Sequence, residues 1–177
     1  AQDRAAVEGS ALLDVFLVLG FIAAIFFIDR IGRVRLQLGG FVMMAVGLAL
    51  LAIVSALPGG GGAHIPLVFI AFAVFNFFMN AGPNATTYAL PAEIFPSHIR
   101  ATGHGFAAGM AKLGAALGVF FFPILLDHVD EWMLLGGLAL ICVVGFIVTL
   151  VFQIEPAGKS LDEMSGRKAG ALQPVAG

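Results

Sequence analysis

One cation, Lys112, stands inside an otherwise uncharged apolar run, GHGFAAGMAKLGAALGVFFFPILL. An ammonium group in hydrocarbon is costly unless it faces a polar cavity, a counter-charge or an anionic ligand, so this residue type in this setting points to anion binding. No acid lies at matching depth elsewhere in the 177 residues. Its partner is therefore expected to be water, a bound anion or helices outside this chain. A second polar set precedes it. Asn76, Asn80 and Asn84 recur at i, i+4 spacing with Thr87 nearby, which places three amides on one helix face. Amides there can orient an anion, or hold helices together through bonds that average well under about 2 kcal/mol. Asn76 is assigned to helix association, and Asn80 and Asn84 fit either role equally. Gly82 and Pro83 interrupt the same run. They either free carbonyls toward a cavity or make a static kink filled by neighbouring side chains.

The elements that hold these groups must be membrane helices. Apolar residues make up 60% of the chain and charged residues 11%, and the mean hydropathy is +1.01, which leaves too little polar surface for a water-soluble domain. Five apolar stretches, at roughly 11–28, 36–57, 65–89, 101–126 and 132–153, are each long enough to cross ~30 Å of hydrocarbon. They lack the period of two that barrel strands need, so the fold class is all-α integral membrane with five spanning helices. Lys112 falls about eleven residues into the fourth span, ~16 Å deep at the helical rise, and is too deep to snorkel. Gly105, Gly109, Gly114 and Gly118 of that span predict close helix packing. His104 shares a face with Lys112, but a hydrogen bond at the helix start is preferred for it over proton relay. Asp14 reads as favourable charge at a helix amino end. Cys142 is solitary, which excludes an internal disulfide.

Charge placement sets the expected topology. Arg30, Arg33 and Arg35 fall between the first two spans, Arg100 between the third and fourth, and Lys159, Arg167 and Lys168 after the fifth. Those positions share one side, which the positive-inside rule makes cytoplasmic. The amino terminus is then extracytoplasmic and the carboxyl terminus cytoplasmic. With no start methionine and no signal peptide visible, the chain is expected to be a later portion of a longer protein. Its parts are an extracytoplasmic lead (1–10), a five-helix transmembrane portion (11–155) and a cytoplasmic tail (156–177).

The loops carry a resemblance. The segment DRIGRVR after the first span resembles the D-R-x-G-R-(R/K) loop of the major facilitator superfamily. PAEIFPSHIR resembles the E-x-F-P-x-x-x-R loop of its sugar-porter-like members, and EPAGKSLDEM resembles the P-E-T-K-G-(R/K)-S-L-E-E signature after the last helix, with Ala157 in place of the usual Thr. The order implies helices eight to twelve, in the carboxyl-terminal half. GPNATT, PAEIFPSHIRATGHG and AKLGA in that order resemble the phosphate:proton symporters in particular. That resemblance implies that Lys112 lies in the substrate site, with Asn80 and Asn84 matching two asparagines that flank the Gly-Pro of the tenth helix. It also implies a cytoplasmic gate of Asp29, Arg33, Glu93, Arg100 and Glu155, whose individually weak pairs act as a network on two nearly balanced states.

No phosphate loop, metal-ligand cluster, redox cysteine pair or nucleophile elbow is present, so no enzyme and no cofactor is expected. The GGGG stretch at 59–62 lacks the Lys and Ser or Thr of a phosphate cradle and reads as a flexible connector. The expected partners are a small anionic substrate, protons, the lipid bilayer and preceding helices of the same transporter; no nucleic acid is expected. The expected function is proton-coupled phosphate uptake by alternating access. The alternatives are a proton-coupled facilitator for an organic anion or sugar, and a truncated, non-transporting membrane partner that associates through small-residue faces.

Overall fold

A computed structural model of the chain describes residues 2–96 and 98–152, with 2–10 as backbone only. Helices α1 (Gln2–Ile31) and α2 (Arg33–Ala56) are separated by one residue, Gly32. Its φ of 98° lies where only glycine is unstrained. A single turn, α3 (Gly60–Ala63), follows where the sequence suggested a flexible connector. The third span is compound. It consists of α4 (Ile65–Met79), a π turn at Asn80–Asn84 and α5 (Ala85–Ile94). Helices α6 (Arg100–Leu126) and α7 (Glu131–Val151) complete the described chain. Five segments, at 11–31, 33–56, 65–94, 100–126 and 131–151, are long and apolar enough to cross a membrane, in agreement with the sequence reading. Because α1 begins at Gln2, Asp14 lies roughly three turns inside it and is exposed. The helix-end explanation of Asp14 is therefore overturned.

Helix α2 organises the core. Leu48 and Leu51 of α2, Ala71 of α4 and Cys142 of α7 form the buried cluster, with Phe41, Phe75 and Leu138 packed around it.

The π turn is set by local chemistry. Pro83 has no N–H and its ring collides with the carbonyl four residues back in a regular helix, so the backbone widens by one residue per turn. The carbonyls disturbed by the widening are taken up internally. Thr86 Oγ1 donates to the Gly82 carbonyl at 3.0 Å, and Thr87 Oγ1 donates to the Pro83 carbonyl. Asn80, Ala81, Gly82 and Pro83 are all buried. Of the two sequence readings, the internally filled kink is the one observed.

Two glycines let neighbouring helices close on that turn. A Cβ at Gly20 of α1 would stand 2.5 Å from the Phe77 carbonyl oxygen and 3.0 Å from Asn80 Cβ. A Cβ at Gly40 of α2 would overlap Pro83 Cδ and lie 2.9 Å from Gly82 Cα. Backbone approach this close is open only to residues without a side chain.

Helix α6 differs from the other spans. None of its residues is buried, and among the described elements it packs only against α5 and α7. A Cβ at Gly105, Gly109, Gly114 or Gly118 would meet nothing within 4 Å. The close packing expected of this small-residue stripe is absent among the described residues, because no described helix lies on it.

Candidate functional site

The three asparagines form a directed ladder. Asn76 Nδ2 donates to the Leu13 carbonyl at 2.8 Å and so ties α4 to α1. Asn80 Nδ2 donates to the Asn76 carbonyl at 2.7 Å and to Asn76 Oδ1 at 3.2 Å. Asn84 Nδ2 in turn donates to Asn80 Oδ1 at 2.8 Å. Asn80 is 0% exposed, and both its donor and acceptor groups are engaged within the protein. Asn84 is half-buried and ends the ladder, with its Oδ1 and one amide hydrogen uncommitted among the described residues. The expected pair thus differs in setting, Asn80 sealed within the ladder and Asn84 half-buried at its end. An Asn80→Leu variant removes the middle of the ladder and strands buried Asn76 Oδ1. We expect about 1–3 kcal/mol lower stability from that change, against little from Asn84→Ala, as read by thermal unfolding in detergent.

Lys112 is exposed on α6 and makes no hydrogen bond or ion pair among the described residues. Helix α6 does not touch the π turn, so these five spans do not bring Lys112 against Asn80 or Asn84.

The charged residues assigned to a gate are joined in part. Arg33 Nε and Nη2 donate to Glu93 across 60 residues of sequence, at 2.9 Å for the shortest bond of each. Arg33 Nη1 meets Asp29 Oδ1 at 2.7 Å. The two-pronged geometry is the stronger form of the pair, and the Glu93 side chain is 33% exposed against 75% for Asp29. Glu93→Ala should therefore lower the thermal midpoint more than Asp29→Ala, whose exposed pair is worth less than about 1 kcal/mol. Among the described residues, Arg100 makes no bond to this triad. Its Nε donates to the Phe95 carbonyl at 3.1 Å and closes the turn between α5 and α6. Arg100 Nη2 and His104 Nδ1 are buried without a hydrogen-bond partner, so the helix-start bond expected of His104 does not form among the described residues. The ring of His104 faces Tyr88, with centroids 6.4 Å apart. Glu155 lies outside the described residues.

Sequence reasoning missed Gly20 and Gly40, which hold the asparagine ladder in place, and Gln37, whose Nε2 donates to Thr149 Oγ1 at 3.4 Å between α2 and α7. Their only signal was a small or polar side chain within an apolar run, which recurs at many positions in this chain.

Five helices long and apolar enough to cross a membrane, one of them broken at a proline and lined there by amides, make the described residues a multi-pass membrane segment. Residues 2–166 match the family described as "Sugar (and other) transporter", and the chain belongs to that family. It is 40% identical over 151 residues to a putative inorganic phosphate transporter 1-13 of Oryza sativa subsp. japonica, which covers 83% of this chain and 28% of that protein. It is also 40% identical over 152 residues to a probable inorganic phosphate transporter 1-6 of Arabidopsis thaliana, covering 84% and 28% respectively. The chain thus spans under a third of the length of these relatives. A solved structure of a double-tryptophan XylE mutant superposes with a TM-score of 0.74 at 24% identity, over 94% of this chain and 35% of the other. That likeness supports the fold.

Proposed function

We propose that this segment belongs to a carrier that moves inorganic phosphate with protons across a membrane by alternating access, with Lys112 as the cation that receives the anion. The observation that carries this reading is the lone ammonium of Lys112, deep in an apolar span and without an internal partner among the described residues. A structural lysine at that depth would be paired. The names of the relatives supply the phosphate. Asn84, held by Asn80, offers an amide to orient the anion, and proton-carrying acids come from the helices that the longer relatives have in addition.

In this reading residues 1–10 begin outside, residues 11–155 form the transmembrane portion and residues 156–177 lie in the cytoplasm. The clustering of Arg30, Arg33, Arg35 and Arg100 at one end of the bundle supports that orientation. Asp29, Arg33 and Glu93 then form the cytoplasmic closure, with Arg100 bracing the adjacent α5–α6 turn and Glu155 as the remaining member of the gate.

Radiolabelled phosphate uptake by a full-length carrier containing this segment tests the proposal. Saturable uptake that rises with an inward proton gradient and resists competition by carboxylates and hexoses is the expected result. Competition by a carboxylate or hexose, with phosphate inert, would assign the carrier to an organic anion or sugar instead.

A further inference from the structure

Between α1, α2 and the π turn is a cavity of about 380 Å³ whose walls include Phe27, Gly39, Met43 and Phe78, with Arg35 as its one charged lining residue. Arg35 sits in the first turn of α2, and among the described residues it has no hydrogen bond or ion pair. Its neighbour Arg33 is already committed to Glu93 and Asp29.

The geometry points to a phospholipid site, in which the cavity takes an acyl chain of a phosphatidylglycerol-type anionic lipid and Arg35 holds the phosphate. An apolar chamber of this size gives water few hydrogen-bond partners, and desolvating a free phosphate against such walls is unfavourable. A lipid tail fills the chamber at no such cost. The guanidinium fork matches a phosphate in geometry and charge. The same end of the bundle carries Arg30 and Arg35, both exposed, and basic residues beside a span attract anionic headgroups. The bound chain would lie against Phe78 and Gly82, and so would buttress the π turn that carries the asparagine ladder. This inference requires only that the protein is membrane-embedded and does not depend on the transported substrate.

Gly39 supplies a test. It lines the cavity, and a Cβ there meets nothing within 4 Å, so Gly39→Leu fills the space without displacing backbone. The whole chain in mild detergent is titrated with phosphatidylglycerol or phosphatidylcholine of identical acyl chains, and retained lipid is counted by native mass spectrometry. The expected result is one preferentially retained phosphatidylglycerol, about tenfold weaker retention in Arg35→Gln, and loss of retention in Gly39→Leu with helical circular dichroism unchanged. Equal retention of both lipids, or unaltered retention in Gly39→Leu, would overturn the site. So would displacement of the lipid by millimolar inorganic phosphate, which would make Arg35 a free-phosphate contact. A dimer that Gly39→Leu dissociates, in place of lost lipid, would identify a second copy as the occupant and equally overturn it.

Discussion

Lys112→Ala in a full-length carrier containing this segment is expected to lower kcat/KM for phosphate by roughly two orders of magnitude at equal expression, with Lys112→Arg retaining a measurable fraction. Truncating one side of a desolvated charge pair costs about 2–5 kcal/mol, and each 1.4 kcal/mol is about tenfold. Lysine offers a compact charge with rotatable donors, whereas arginine offers a planar fork on a longer reach. The arginine variant therefore keeps the attraction and loses the fit. Lys112 has no internal partner among the described residues, and α6 buries none of its residues against the other spans. Removing its charge should therefore leave folding intact, so circular dichroism and surface expression separate a lost site from a lost fold. Uptake kinetics unchanged in the alanine variant would remove Lys112 from the transport path.

Gly40→Leu is expected to destabilise the bundle by about 3 kcal/mol or more, whereas Gly39→Leu, one residue earlier, should fold normally. The contrast follows from what each new side chain meets. At Gly40 the first carbon overlaps Pro83 Cδ and stands 2.9 Å from Gly82 Cα and 3.1 Å from the Phe78 carbonyl oxygen. Those atoms are backbone or ring and cannot rotate away. The same contact seen from the other side places a Cβ at Gly82 2.8 Å from Gly40 Cα. Because α2 and the π turn meet glycine on glycine, separating them also loosens buried Asn80. Monodisperse protein and thermal midpoint in detergent report the effect. Equal tolerance of both leucines would show that α2 and the π turn do not clamp as described.

The sequence made the membrane fold plain because its governing physics is one-dimensional. Spans are runs of apolar residues long enough to cross hydrocarbon, and all five were legible from length and hydropathy alone. The pairing of Arg33 with Glu93 was foreshadowed by loop motifs, since each charge marks a helix end at the same membrane face. The fate of the amides was less legible. Periodicity put Asn76, Asn80 and Asn84 on one face, but only the approach of Gly20 and Gly40 decides which of them is sealed from a ligand. That approach depends on which helices become neighbours, and spacing along one helix carries no such information. The glycines of α6 meet no helix among the described residues. Four-residue spacing signals a surface able to accept a helix, whether or not one lies there. Asp14 failed differently, through the position of a helix start, which lies well before the apolar run it introduces.

Equilibrium binding of radiolabelled phosphate to the purified full-length carrier, beside its Lys112→Ala variant, tests the central claim most directly because it separates anion recognition from transport. The account predicts saturable binding in the parent and its loss in the variant, with the helical content of the two proteins the same. Equal phosphate affinity in the two would contradict it and place the anion elsewhere in the carrier.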